Sequence, residues 1–140
     1  MARAPADARH YLHQLSDGGD LPRNYLVKVL KSLTRKGIVR SYRGIKGGFS
    51  LGRGPEEISL RDVIEAIDGP ISIIPCLTDP KTNGCHFRTC CATRVRFASI
   101  REDVLRQLDE STIAELANEQ DEMEQKRGGS KSAASSSGGM

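Results

Sequence analysis

All four cysteines of the 140-residue chain fall in one short stretch, with the spacing Cys76-x8-Cys85-x4-Cys90-Cys91, and His86 lies among them. Thiols gathered in this way hold a soft metal or carry redox chemistry. No C-x2-C pair is present, which weakens the zinc-ribbon and thioredoxin readings. Four possibilities stand on residue type alone: an iron–sulfur cluster, an irregular zinc site, a thiol switch, or four inert thiols.

A second set of residues points elsewhere. Between Leu21 and Pro55 lie Arg23, Lys28, Lys31, Arg35, Lys36, Arg40, Arg43, Lys46 and Arg53, with no acidic residue. The rest of the chain carries all 18 Asp and Glu, so the net charge of +3 conceals a basic block inside a foldable segment. Such a block suits a polyanion; its bland counterpart is a solvated charged face.

The elements that must position these residues follow from periodicity. Leu26, Val29, Leu30 and Leu33 recur at helical spacing between Pro22 and Lys36, and Gly37 suits the left-handed position after a helix. The opposite face carries Asn24, Lys28, Lys31 and Arg35. An amide-and-cation stripe backed by aliphatics is what a major groove accepts. Two β-like runs, 38–42 and 49–51, then flank Arg43-Gly-Ile-Lys-Gly-Gly48, giving a hairpin with Arg43 and Lys46 at its tip. A phosphate-binding loop is disfavoured, since the G-x4-G-K-[ST] order is absent and no helix follows directly.

Ser59-Leu-Arg-Asp62 opens a further helix ending at Gly69, with Leu60, Val63, Ile64 and Ile67 on one face. The cysteine stretch reads as loop. A longer helix over 92–108 carries Phe97, Ile100, Val104 and Leu108 in a stripe suited to a second copy of the chain. A short helix from Thr112 leads into a Ser-, Gly- and Lys-rich tail from Lys126, expected to be disordered. The aliphatic core must be small, and no apolar run reaches the roughly 18–20 residues of a membrane span. A cytoplasmic protein is the default, and clustered cysteines there are ligands or sensors more often than disulfides.

This order of features resembles the Rrf2 family of bacterial winged-helix regulators, a group that includes iron–sulfur, nitric-oxide and cysteine-metabolism regulators. The resemblance rests on Pro22-Arg-Asn-Tyr-Leu-Val-Lys-Val-Leu30, on Gly37-Ile-Val-Arg-Ser-Tyr-Arg-Gly-Ile-Lys-Gly-Gly-Phe-Ser-Leu51, on Ile58-Ser-Leu-Arg-Asp-Val-Ile-Glu-Ala-Ile-Asp-Gly69 and on Ser111-Thr-Ile-Ala-Glu-Leu116. It implies a mainly α fold with a β-hairpin wing: a winged helix-turn-helix over 1–69, a cysteine-bearing sensor loop over 70–91, a dimerisation helix and terminal helix over 92–125, and a tail over 126–140. The usual first helix is missing from the match, so part of the core is expected to be lost.

The resemblance further implies a homodimeric transcriptional regulator, acting as a repressor on an imperfectly palindromic stretch of double-stranded DNA. Arg23, Asn24, Lys28, Lys31 and Arg35 would serve the major groove and its phosphates. Arg43 and Lys46 would serve the wing, with Arg43 entering the minor groove. Cys76, Cys85 and Cys91 would hold a [2Fe–2S] or [4Fe–4S] cluster, with Cys90 as the alternative thiol. Arg94 stands where some members place a histidine ligand, leaving His86 as the substitute. Cluster-free thiol sensing, or regulation of cysteine metabolism, is the alternative within the family. A small electron-transfer protein would use the same thiols but has no need of an acid-free basic helix. His10, His13 and His86 form no nucleophile–base arrangement, so an enzyme is not expected.

Overall fold

In a computed structural model the described residues are 1–5, 7–17 and 21–132. Among the described residues there are five helices and one hairpin: α1 (Leu12–Ser16), α2 (Arg23–Arg35), β1 (Val39–Tyr42), β2 (Gly48–Leu51), α3 (Leu60–Asp68), α4 (Ala92–Glu110) and α5 (Ile113–Ser132). Short 3-10 turns occupy Pro55–Glu57, Pro75–Leu77 and Pro80–Gly84. The expected turn at Asp17-Gly-Gly-Asp20 falls largely on residues outside the described set.

Local chemistry sets the boundaries of α2 and α3. Gly37 takes φ +71 after α2, and the amides of Gly37 and Ile38 reach back to the carbonyls of Thr34 and Leu33, at 3.0 Å each. This is the two-bond Schellman closure, and it turns the chain straight into β1. Gly52 packs beside that corner, where a Cβ would collide with the Gly37 carbonyl oxygen. At α3, Ser59 and Asp62 form the expected capping box, Asp62 N–H donating to Ser59 Oγ at 3.1 Å.

β1 and β2 pair antiparallel with Val39 opposite Leu51 and Tyr42 opposite Gly48. The core gathers Leu26 and Leu30 of α2, Ile38, Val39 and the fully buried Ile58, with Leu12, Leu15, Leu33, Phe49, Leu51, Val63 and Ile113 packed around them. The N-terminal segment is part of this assembly. Met1 packs on the core, and His10 exchanges two backbone hydrogen bonds of 2.8 Å with Phe49 of β2. Arg3 binds Asp121 at 3.0 Å and Glu124 at 3.1 Å on α5.

One expectation is corrected. The expected tail begins too early: α5 continues through Lys126 to Ser132, and only 133–140 lie outside the described residues. On α4 the residue sealed against the rest of the chain is Leu105, which was not in the predicted stripe. Phe97 and Leu108 are half-buried, while Ile100 and Val104 stay exposed.

Candidate nucleic-acid interface and cysteine loop

Because Leu26 and Leu30 face the core, the other side of α2 is turned outward, and Arg23, Asn24, Lys28, Lys31 and Arg35 are all exposed on it. Arg43 and Lys46 are exposed at the hairpin tip, beside Ile45, which is fully exposed. The tip closes with one internal bond, Gly47 N–H to the Gly44 carbonyl at 3.0 Å. An apolar pocket of about 280 Å³ lies between helix and hairpin, lined by Val27, Leu30, Thr34, Phe49, Ser41 and Lys31. Of the basic residues singled out, Lys31 borders this pocket.

Among the described residues, Arg3, Arg53, Arg61, Arg101 and Arg106 each contact a carboxylate within 3.5 Å. Among the described residues none of Arg23, Lys28, Lys31, Arg35, Arg43 or Lys46 has an ion-pair partner. Exposed cations without carboxylate partners among the described residues give a positive potential available to a polyanion.

The cysteine loop begins after α3, where Gly69 takes φ +86, and ends at the first turn of α4. Cys76 is half-buried in the 3-10 turn Pro75–Leu77, within a shallow cavity of about 250 Å³ also lined by Thr78, Asp79 and Arg88. Cys85 and Cys90 are exposed, as is His86. Cys91 is half-buried and caps α4, its Sγ accepting from the Arg94 amide at 3.4 Å. Arg94 turns inward, its Nε buried without a hydrogen-bond partner among the described residues. The loop is tied to α4 by Arg101 Nε, which donates to the Ile71 carbonyl at 2.7 Å.

An iron–sulfur centre needs several thiolates converging on it. Among the described residues no three Cys, His, Asp or Glu side chains are placed to share a metal ion. The loop as arranged therefore does not fit the cluster that the family resemblance implies, and no step is derived through one.

Sequence reasoning missed the contributions of the N-terminal segment. Arg9 lays its guanidinium over the Tyr42 ring, 4.1 Å from the centroid, and donates from Nη1 to the Lys46 carbonyl at 2.9 Å. An arginine nine residues from the start, outside any motif, gave no signal beyond its charge.

A short helix, an exposed basic second helix and a two-stranded hairpin with a cationic tip define a winged-helix DNA-binding protein. The chain belongs to the Rrf2 family, whose profile is described as "Iron-dependent Transcriptional regulator" and matches residues 1–119. An rrf2-like HTH-type transcriptional regulator of Rhodobacter capsulatus is 30% identical over 108 residues, spanning 75% of this chain and 72% of that protein. Among solved structures, CymR of B. subtilis, described as the global cysteine regulator, superposes with a TM-score of 0.65 at 30% identity, covering 84% of each chain. IscR of T. potens superposes with a TM-score of 0.67 at 21% identity over 87% of this chain and 78% of its own, a likeness of fold alone. The chain is thus a transcriptional regulator and not an enzyme. No helix among the described residues is long and apolar enough to cross a membrane.

Proposed function

We propose that the chain is a cytoplasmic, homodimeric regulator that reads double-stranded DNA through α2 and the hairpin and takes its signal at the thiols of residues 70–91. The basic face carries this reading: the stretch from Leu21 to Pro55 holds nine cations and no acid, and those of the α2 stripe and hairpin tip are exposed and without a carboxylate partner among the described residues. Asn24, Lys28 and Lys31 meet the major groove, Arg23 and Arg35 the phosphates beside it. Arg43 enters the minor groove and Lys46 the adjoining backbone. The exposed Val95, Ile100 and Val104 of α4 support pairing with a second copy, and a two-fold dimer calls for an imperfect palindrome.

The input reaches DNA through packed elements. Cys91 caps α4, and the loop's Ile71 is held by Arg101 of the same helix. Arg61 of α3 binds Asp109 of α4 at 2.8 Å, and α3 packs on α2. Chemistry at the loop thiols alters how α4 seats, and so the spacing of two recognition helices across the dimer; the modified state shifts the population toward one arrangement. The exposed, separated Cys85 and Cys90 and the half-buried Cys76 and Cys91 support direct thiol chemistry.

A second reading, an iron–sulfur cluster on Cys76, Cys85 and Cys91 with Cys90 as alternative, is favoured by the iron-dependent description of the family profile. It requires the loop to rearrange around the cluster. Anaerobic purification with a visible spectrum and counts of iron and sulfide separates the two. Colourless, iron-free protein with full DNA affinity supports thiol chemistry; a chromophore whose loss changes DNA affinity establishes the cluster.

A further inference from the structure

The hairpin tip is loose by composition. Residues 43–48 include Gly44, Gly47 and Gly48, and the tip has a single internal backbone bond. A segment of this kind loses much conformational freedom when it docks, which subtracts from affinity unless it is ordered beforehand. The structure supplies an outside brace. Arg9 spans from Tyr42, the last residue of β1, to the carbonyl of Lys46 in the tip.

Three neighbours make room for that brace and hold it. The residue opposite Tyr42 is Gly48, so no cross-strand side chain competes for the flank of the ring. Gly48 takes φ +125, and a Cβ there would come within 2.9 Å of the His10 carbonyl oxygen and 3.8 Å of Arg9 Cβ. The reciprocal His10–Phe49 bonds, 2.8 Å each, anchor the backbone one residue from Arg9. The ring is also held at its far end, where Ser50 Oγ donates to Tyr42 Oη at 3.3 Å. Arg9 thus directs its fork at the hairpin itself.

We propose that Arg9 is a positioning residue for the wing, fixing where Arg43 and Lys46 meet DNA while making no contact with DNA itself. This rests on the reading of the hairpin as a DNA-reading wing. Cation–π stacking and one charged hydrogen bond together are the size of effect that preorganises a short loop.

The test uses full-length protein and a duplex selected from a random pool by the wild-type chain, with affinity read by fluorescence anisotropy across a salt series. Arg9→Ala is expected to weaken binding by roughly tenfold with an unchanged salt slope. Arg9→Lys, which keeps a cation over the ring but not the fork, falls between. Tyr42→Phe keeps the ring and stays within about twofold of wild type, since stacking needs only the π face. In an Arg43→Ala/Lys46→Ala background, Arg9→Ala adds less than about twofold, because coupled residues are not additive. Full additivity in that background, a salt slope lowered by about one, or an Arg9→Ala protein that binds like wild type each overturns the proposal. Failure of the wild-type chain to select any duplex overturns the DNA-reading wing and this proposal with it, whereas selection followed by a neutral Arg9→Ala overturns the brace alone.

Discussion

Ser59 and Thr112 face each other across an antiparallel bridge, so the start of α3 and the start of α5 are joined by backbone hydrogen bonds. The Ile113 amide donates to the Ile58 carbonyl at 3.0 Å and the Leu60 amide to the Ser111 carbonyl at 2.7 Å. The winged helix and the α4–α5 pair are thus stitched at the residue that seals the core, Ile58, which has no exposed surface.

Ile58 is expected to be among the costliest core truncations. Ile58→Val should lower stability by about 0.5–1.5 kcal/mol and Ile58→Ala by about 2–5 kcal/mol, with an unchanged denaturant slope. Urea unfolding measures both, and a neutral Ile58→Ala would show that the site collapses without strain.

DNA affinity should fall steeply with salt. Lys28→Ala and Lys31→Ala are each expected to lower the slope of log affinity against log salt by about one if they meet phosphates, and to relax sequence preference if they meet bases. Arg106→Ala, on α4 and paired with Asp103 at 2.9 Å, serves as the control and should change neither.

Thiol reactivity should follow exposure. In the reduced, metal-free protein, Cys85 and Cys90 should be alkylated before Cys76 and Cys91, as peptide mass spectrometry would show. Cys91→Ser keeps a capping oxygen for the Arg94 amide, so a lost signal response in that variant reports sulfur chemistry and not a frayed α4. Simultaneous labelling of all four would contradict the described arrangement.

His10 should make the fold sensitive to acid. Burial, aided by the positive N-terminus, pushes its pKa below the ordinary 6.5, and its Nε2 is buried without a partner among the described residues. The folded state therefore binds its proton less readily than the unfolded chain. Stability is full above pH 6.5 and is lost as the pH falls from there through the lowered value. His10→Gln should remove that component from the urea midpoint measured between pH 7.5 and 5.5, roughly the range in which histidine titrates. An identical pH profile in the variant would exclude His10 as the source.

Dimerisation through α4 predicts that Val104→Asp, at a position 36% exposed, yields monomers by sedimentation while leaving the winged helix folded. Retention of the dimer would move the interface elsewhere.

Much of the fold was legible because local rules govern it. The α2 stripe, the Gly37 stop, the hairpin and the Ser59–Asp62 box each depend on residues within a few positions of one another. The extent of α5 was not: Gly128 and the serines argue against helix, yet it runs on from the Glu- and Gln-rich turns before them to Ser132. Leu105 escaped because its burial depends on which face of α4 meets the rest of the chain, not on its own neighbours.

Taken alone, the four cysteines left a metal site, a thiol switch and inert thiols open, while the acid-free stretch from Leu21 to Pro55 marked a basic face suited to a polyanion, because residue type and spacing carry that much. Only the tertiary structure set Cys85 and Cys90 outward and Cys76 and Cys91 partly inward, and only it brought Arg9 to Tyr42 and Lys46. Those relations join segments far apart in the chain. They exist because the core draws β2 against the N-terminal segment and leaves Gly48 as the opening between them, which no local pattern encodes.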